Sequence, residues 1–331
     1  MPQLKPSLSI IDVGHGNCAV LEDGAQVVII DAGPGSSVIE YLKREQITTI
    51  DIVLLSHSDS DHIAGLVALI GSGEFQIRCV RLNSDALKGS QLWEDLVYTL
   101  DKCHNAGTTD FDVSLTSRLG NLMNRGSVGV EVLGPSLYLA GIGPGGVTRA
   151  GRRLTSNSLS AVIRISYDKQ PIILFPGDLD STGLEDLLEH QLKCESSILV
   201  FPHHGGRAGS GSMTSFVERI CKAVNPKTIV FSIGRGVHGT PQPEVIETIR
   251  KVLPGVHILC TQLSEHCAPK VPSAIGTHVS KKYARGHEHK RCCAGTIVIT
   301  FGDSISLLPQ PDEHHEFIKI NAPTSLCQKT K

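Results

Sequence analysis

The densest run of side chains able to do chemistry is Ser56-His57-Ser58-Asp59-Ser60-Asp61-His62. It follows the apolar stretch Ile52 to Leu55, which reads as a buried strand, and it precedes a helix-like stretch. A strand end that turns sharply aims several short side chains into one pocket, and imidazole mixed with carboxylate suits divalent zinc, manganese or iron. A polar helix cap would account for Ser60 or Asp61 but not for the two histidines. Such a ligand set needs ionised carboxylates and neutral imidazoles together.

Two later strand ends repeat the pattern. Ile172 to Phe175 runs into Pro176-Gly177-Asp178, a carboxylate at the C-terminal edge where ligands gather in open α/β sheets. Gly-Asp is also an ordinary turn dipeptide. Ile198 to Phe201 runs into Pro202-His203-His204-Gly205-Gly206, and spacing does not separate His203 from His204. Three strand ends that each deliver ligand-type side chains point to one centre. His238, in Val237-His238-Gly239, is with His204 a candidate to protonate a leaving group, or else a loop imidazole in solvent. Arg149, Arg152 and Arg153 adjoin the Gly-rich stretch Gly141 to Gly151, just before Asn157 and Ser158. Guanidinium forks match phosphate oxygens, which makes Arg152, Arg153, Asn157 and Ser158 candidate substrate contacts; a solvated loop explains the arginines equally well. Gly205 to Ser212 is a second hydroxyl-bearing loop that could touch a phosphate. Asp12 and Asp31 follow apolar strands and could brace ligating imidazoles from behind, or simply form turns.

The elements that must position these groups are short apolar runs bounded by turn residues. They are Leu8 to Val13, Val27 to Ile30, Ile52 to Leu55, Leu159 to Ile165, Ile172 to Phe175, Ile198 to Phe201, Thr228 to Ser232 and Thr296 to Phe301. Between them, Ser36 to Glu45, Ala64 to Ile70, Gln91 to His104, Thr182 to Leu192, Met213 to Val224 and Pro243 to Leu253 carry helical apolar spacing. Strands in series punctuated by helices imply a layered α/β architecture. With 331 residues and 40% hydrophobic content the chain can bury a large core, and no linker cuts it, so one domain spanning 1–331 is expected. That domain carries a polar, basic, His-rich insertion at about 262–292 and a short tail at about 311–331. A formal charge of −2 supplies no global field for a polyanion, so any such attraction must be local, and the insertion's Lys281, Lys282, Arg285, Lys290 and Arg291 form the best basic patch. No apolar run approaches the roughly 18 residues of a membrane span, and no signal-peptide layout opens the chain, so a cytoplasmic protein with no membrane partner is expected.

Ten cysteines in such a chain read as reduced thiols or metal ligands. Cys260, Cys267, Cys292 and Cys293 bracket the insertion and could hold a structural zinc, or be ordinary buried thiols.

The cluster His57 to His62, the later Gly177-Asp178 and the later His203 together resemble the signature of the metallo-β-lactamase superfamily. More narrowly, Asp12 to Asn17, Ile30 to Gly33, Asn157 to Ser160, Phe175 to Asp178, Pro202 to Gly205 and Val237 to Gly239 resemble, in order, the soluble hydrolase domain of ComEC-type competence proteins. Those proteins usually read Gly-Gln-Gly-Asp where this chain has Gly14-His15-Gly16-Asn17, and Ser where it has Gly206. The resemblance implies a four-layer αββα metallo-β-lactamase sandwich. It further implies two divalent ions, zinc or manganese, with His57 and Asp59 on one, Asp61 and His62 on the other, Asp178 bridging and His203 completing the shell. The superfamily's further His is replaced by Asn157, whose amide oxygen favours a harder ion such as manganese. With the arginines beside the site, the activity expected is a phosphodiesterase or nuclease that acts on DNA, RNA or a nucleotide through a hydroxide readied by two metals, in a free-standing setting such as a bacterial (antiviral) defence or stress system. Two alternatives stay open: a hydrolase of a thioester, lactone or lactam, and a non-catalytic binding or scaffold member of the fold.

Overall fold

The computed structural model describes residues 5–24, 26–125, 127–190, 194–209 and 211–328. Apolar alternation builds a first series of elements: β1 (Ser7–Ile10), β2 (Cys18–Asp23), β3 (Gln26–Ala32), α1 (Ser37–Arg44), β4 (Thr49–Ile50), β5 (Ile52–Leu54), α2 (Ser60–Ser72), β6 (Gln76–Ile77), β7 (Cys79–Arg81), α3 (Gln91–Asn105) and β8 (Asp110–Asp112). A second series follows: β9 (Gly120–Arg125), β10 (Val128–Gly134), α4 (Leu137–Ile142), β11 (Val162–Tyr167), β12 (Gln170–Phe175), α5 (Ser181–His190), β13 (Ile198–Val200), α6 (Met213–Val224), β14 (Thr228–Phe231), α7 (Pro243–Val252) and β15 (His257–Cys260). The chain then returns to the first sheet through β16 (Ile297–Thr300) and β17 (Ser306–Leu308), and α8 (Pro311–Asn321) follows.

An eight-stranded sheet runs β17-β16-β1-β2-β3-β5-β7-β8, and a seven-stranded sheet runs β15-β14-β13-β12-β11-β10-β9; β4 and β6 pair separately. Both large sheets are mixed. Strands β3, β5, β7 and β8 are parallel, as are β12 to β15, whereas the remaining pairs are antiparallel. Three apolar cores make the layering explicit. Leu21, Ile30 and Leu54 of one sheet meet Ile163, Phe175 and Val230 of the other in a central core. Val20, Ile29 and Val53 pack outward with Tyr41 of α1, Leu66 of α2 and Leu96 of α3. Leu199 and Ile229 pack outward with Leu184 of α5, Phe216 of α6, Ile249 of α7 and Phe317 of α8. The four-layer arrangement expected from the sequence is the one observed, because each sheet has two apolar faces to cover.

Boundaries differ where side chains compete with the ladder. The expected strand Leu8 to Val13 stops at Ile10, beyond which Asp12 turns its carboxylate to the Gly14 and Gly286 amides and the Gln262 amide group. The expected strand from Leu159 starts at Val162, because Asn157–Leu159 forms a short 3-10 turn. The helix expected from Ala64 begins at Ser60, which puts Asp61 and His62 in its first turn. Residues 191–193, in the expected helix Thr182 to Leu192, lie outside the described residues, as does Ser210 in the Gly205 to Ser212 loop. The region expected to be a tail is a helix, α8, whose Phe317 and Ile318 are buried in a core. Within the insertion, Lys282 pairs with Glu45 at 2.7 Å and Arg285 donates to the Val13 carbonyl at 3.2 Å, so the two cations fasten the insertion to the end of α1 and to the turn after β1. Among the described residues no helix is long and apolar enough to cross a membrane.

One close approach fixes the helix that carries the ligand cluster. A Cβ on Gly65 of α2 would lie 2.4 Å from the Gly33 carbonyl oxygen and 2.9 Å from that of Ala32. Helix propensity alone makes Gly65→Ala stabilising by about 1 kcal/mol. The backbone clash reverses the sign, and a net loss of about 1–3 kcal/mol, read from the urea midpoint, is expected.

Candidate metal centre

The parallel halves of the two sheets end at one rim. Strand β5 leads to His57, β12 to Asp178, β13 to His203 and His204, and β14 to Ser232 and the His238 loop. Delivering these side chains requires backbone that most sequences avoid. Gly177 sits at φ 54°, and a Cβ there would lie 2.3 Å from Ser160 Oγ and 2.6 Å from Ser56 Oγ. His203 and His204 are both left-handed, at φ 52° and 55°, and Asp31 is at 56°. Left-handed non-glycine residues cost about 1–3 kcal/mol each and collect at functional sites.

Asp61, His62, Asp178 and His204 offer ligand atoms that all lie within 4.8 Å of one another. His204 Nε2 is 3.2 Å from Asp61 Oδ2 and 3.7 Å from Asp178 Oδ1, and His62 Nε2 is 3.4 Å from Asp178 Oδ1. The other Asp178 oxygen, Oδ2, is 3.5 Å from His203 Nδ1, and His57 Nε2 is 3.4 Å from Asp59 Oδ2. Asp178 therefore faces imidazoles through both oxygens. The Lys88 ammonium caps the far oxygen of Asp59.

Hydrogen bonds behind the rings set their tautomers. His62 Nδ1 lies 2.8 Å from Asp31 Oδ2 and His204 Nδ1 lies 2.7 Å from the Ser232 carbonyl, so each ring donates backward and turns a bare Nε2 lone pair inward. Asp31 is itself oriented by the Ser56 amide and hydroxyl at 2.7 and 2.8 Å. The Nε2 atoms of His57, His62, His203 and His204 and the Oδ1 of Asn157 are buried without a hydrogen-bond partner. Buried polar atoms that lack partners call for an explanation, and inward lone pairs beside inward carboxylates fit a divalent cation. The electrostatics agree. Burial alone would raise the Asp178 carboxyl, yet His204 and His62 hold it well below the usual range. Burial alone would lower His62, yet Asp31 and Asp178 carry it well above the usual range. The cluster attracts positive charge.

The structure thus gathers His57, Asp59, Asp61, His62, Asp178 and His203 at one rim, and it separates the two adjacent histidines. His204, expected as a proton donor, stands within the four-residue cluster with its outer nitrogen tied to a carbonyl, whereas His203 faces the opposite oxygen of Asp178. The remaining expected residues divide: some are engaged elsewhere and some stay accessible. Ser158 is buried and donates to Asp180 Oδ2 at 2.6 Å, which makes it part of the turn and no substrate contact. Arg152 is ion-paired with Glu185 in the middle of α5. Arg153 is exposed. Asp12 braces the insertion and not a ligating imidazole. His238 is exposed, its ring 4.8 Å from that of His15. Two residues went unrecognised as part of the site. His15, whose Nε2 is 3.7 Å from Asp61 Oδ2 and whose ring is 4.4 Å from that of His204, lay in the open in Gly14-His15-Gly16, the motif that departs from the competence proteins. Burial first, then His204, pushes it down to about 4. Lys88 comes from an irregular loop with no motif around it.

These features define a four-layer α/β protein with a His/Asp cluster for a divalent metal at the rim of its sheets. The chain belongs to the metallo-beta-lactamase superfamily, whose family model matches residues 11–213. No curated protein matches the sequence. Among solved structures it is similar to the metallo-beta-lactamase fold protein YhfI from Bacillus subtilis, at 14% identity and TM-score 0.48, over 76% of this chain and 96% of that one. It is also similar to the metallo hydrolase Igni18 from Ignicoccus hospitalis, at 13% identity and TM-score 0.44, over 77% and 94%. Zn(2+)-bound PqqB from Methylobacterium extorquens is similar at 11% identity and TM-score 0.44, over 77% and 97%.

If Asp31 sets the His62 tautomer, Asp31→Asn should weaken zinc binding about 10–100-fold, read by competition with a chromogenic chelator. His238→Ala should leave binding unchanged, and an equal loss in both variants would break the assignment.

Proposed function

We propose that this chain is a metal-dependent phosphodiesterase that acts on DNA, RNA or a nucleotide. Superfamily membership and the His/Asp cluster support the coarser statement, a metal-dependent hydrolase. The observation that carries the finer one is a file of imidazoles, His204, His15 and His238, whose rings stand 4.4 and 4.8 Å apart and lead from Asp61 to solvent. His204 serves the cation centre, and His15 and His238, the two outer imidazoles beyond it, suit a substrate with several anionic oxygens and an alkoxide leaving group. Of the arginines before Asn157, Arg152 is engaged by Glu185, whereas Arg149 and Arg153 are exposed.

In this reading His57, Asp59 and His203 with one oxygen of Asp178 would hold one ion, and Asp61, His62 and His204 with the other oxygen would hold a second. Bound divalent ions supply a Lewis-acidic clamp on phosphoryl oxygens and acidify water. The protein's own part is positioning. Asp31 and the Ser232 carbonyl lock two rings, Gly177 lets Asp178 reach between them, and Asn157 Oδ1 offers a neutral acceptor. His238, exposed at the rim and one ring out from the cluster, is placed to protonate a departing alkoxide. The resemblance to the ComEC-type hydrolase domain supports a nucleic-acid substrate, and the insertion contributes the cations that Lys282 and Arg285 leave over.

Protein loaded with zinc or manganese is expected to hydrolyse bis-p-nitrophenyl phosphate and to leave nitrocefin intact. Asp61→Ala should lower activity and metal content together, whereas His238→Ala should lower kcat about 10²–10⁴-fold on an unactivated dinucleotide, whose alkoxide needs a proton, with metal content unchanged. Turnover of nitrocefin alone would reassign the centre to carbonyl chemistry. A loaded parent that turns over neither compound, nor DNA or RNA, would mark a binding protein.

A further inference from the structure

Behind the second sheet, away from the His/Asp centre, four cysteines gather around one void. Cys260 ends β15, Cys267 lies in the following turn, Cys293 precedes β16, and Cys327 belongs to the 3-10 turn Leu326–Gln328. Their side chains line one narrow cavity of about 10 Å³, walled otherwise mainly by apolar groups such as Ile246, Ile258, Leu263 and Ile318. Cys260, Cys267 and Cys293 are buried and Cys327 is half-buried. His314 of α8 is 2% exposed and brings its Nε2 to 3.3 Å from Cys293 Sγ. Cys292 is excluded from the group, because adjacent residues point to opposite sides and its thiol faces Asp12 Oδ2 at 3.9 Å.

Core packing explains single buried cysteines, which behave as small apolar groups. It does not explain why thiols from four separate segments line a single void beside a buried imidazole. The void has room for about one water molecule, which suits an ion and excludes an organic ligand. Burial, with the neighbouring thiols adding to it, pushes the Cys260 and Cys293 thiols well up. A coordinated cation reverses that, since a ligating thiol is deprotonated outright. Soft sulfur donors select zinc over magnesium or manganese.

We infer that Cys260, Cys267, Cys293 and Cys327 form a second, structural zinc site that fastens α8 and the turn after it to the second sheet, with His314 donating from Nε2 to the Cys293 sulfur. The thiols stand farther apart than the donors at the rim, which are the one group among the described residues with ligand atoms all within 4.8 Å. Binding therefore draws the sulfurs inward by side-chain rotation into the void. The site differs from the one the sequence suggests in a single member, Cys327 in place of Cys292, and that exchange brings the chain's C-terminal segment into it.

Cobalt separates this site from the rim, because only thiolate ligands give Co(II) a strong near-ultraviolet charge-transfer absorption, and the rim cluster contains no sulfur. In full-length Asp178→Ala, which disables the rim, about one zinc per chain should persist, and Co(II) exchange should produce that absorption. Cys327→Ser should remove both the absorption and the retained zinc; Cys292→Ser, more deeply buried but outside the cavity, should keep both. Should Cys327→Ser fail to fold, mercurial titration of folded Asp178→Ala provides the second reading, with zinc expected to be released in step with thiol modification. A Co(II)-treated Asp178→Ala protein with no thiolate band, or thiol modification that releases no zinc, would overturn the assignment.

Discussion

A carboxylate does not stay ionised inside a protein unless positive charge meets it, and the site is organised around that constraint at Asp178. It is 7% exposed, and each of its oxygens faces imidazole nitrogen. The rings that face it have been committed in advance: Asp31 behind His62 and the Ser232 carbonyl behind His204 take up the outer N–H groups, and only lone pairs are left to point inward. Lone pairs and carboxylates that converge in a dry pocket repel one another until a cation joins them. The same arrangement that would be costly in an empty core is thus a preformed binding site.

Local strain is the counterpart of that preorganisation. Consecutive left-handed histidines at 203 and 204 and a crowded Gly177 are tolerated because each follows a strand anchored between cores, and the left-handed Asp31 because it lies within one, β3. Leu199 and Val200, just before the histidines, face opposite cores, and Leu174 and Phe175 do the same just before Gly177. Free energy from burying these side chains, about 1.5–3 kcal/mol apiece, exceeds the cost of the turns that follow them. Rigid strands carry the ligands, and the outermost imidazole, His238, is left to an exposed loop.

The sequence made the centre legible because its ligands sit in runs: a strand, a turn, then a His or Asp, three times over. The layered fold was legible for a related reason, since strands covered on both faces appear as unbroken apolar stretches. What escaped the reading was whatever depends on direction or on distant segments. Adjacent His203 and His204 look alike in one dimension, and only the hydrogen bond from His204 to Ser232 on a neighbouring strand tells them apart. Arg152 and Ser158 carry the right chemistry for a phosphate, but Glu185 and Asp180 claim them from another element. Lys88 has no motif. Strand β1 ends early because Asp12 prefers amides contributed by residues 262 and 286, a pairing that no local pattern announces.

The cysteines show the same limit and suggest why the two proposed metal sites can coexist. Adjacency in sequence made Cys292 and Cys293 look like a pair, yet a half-turn of backbone sends them to different surroundings, one toward Asp12 and one toward His314. The rim offers oxygen and imidazole at the ends of strands, whereas the cavity behind the second sheet offers sulfur among apolar side chains. Donor softness sorts ions between such sites without any gate. An ion that exchanges water with a substrate would sit at the open edge, and one held by the soft thiols would sit where nothing needs to enter.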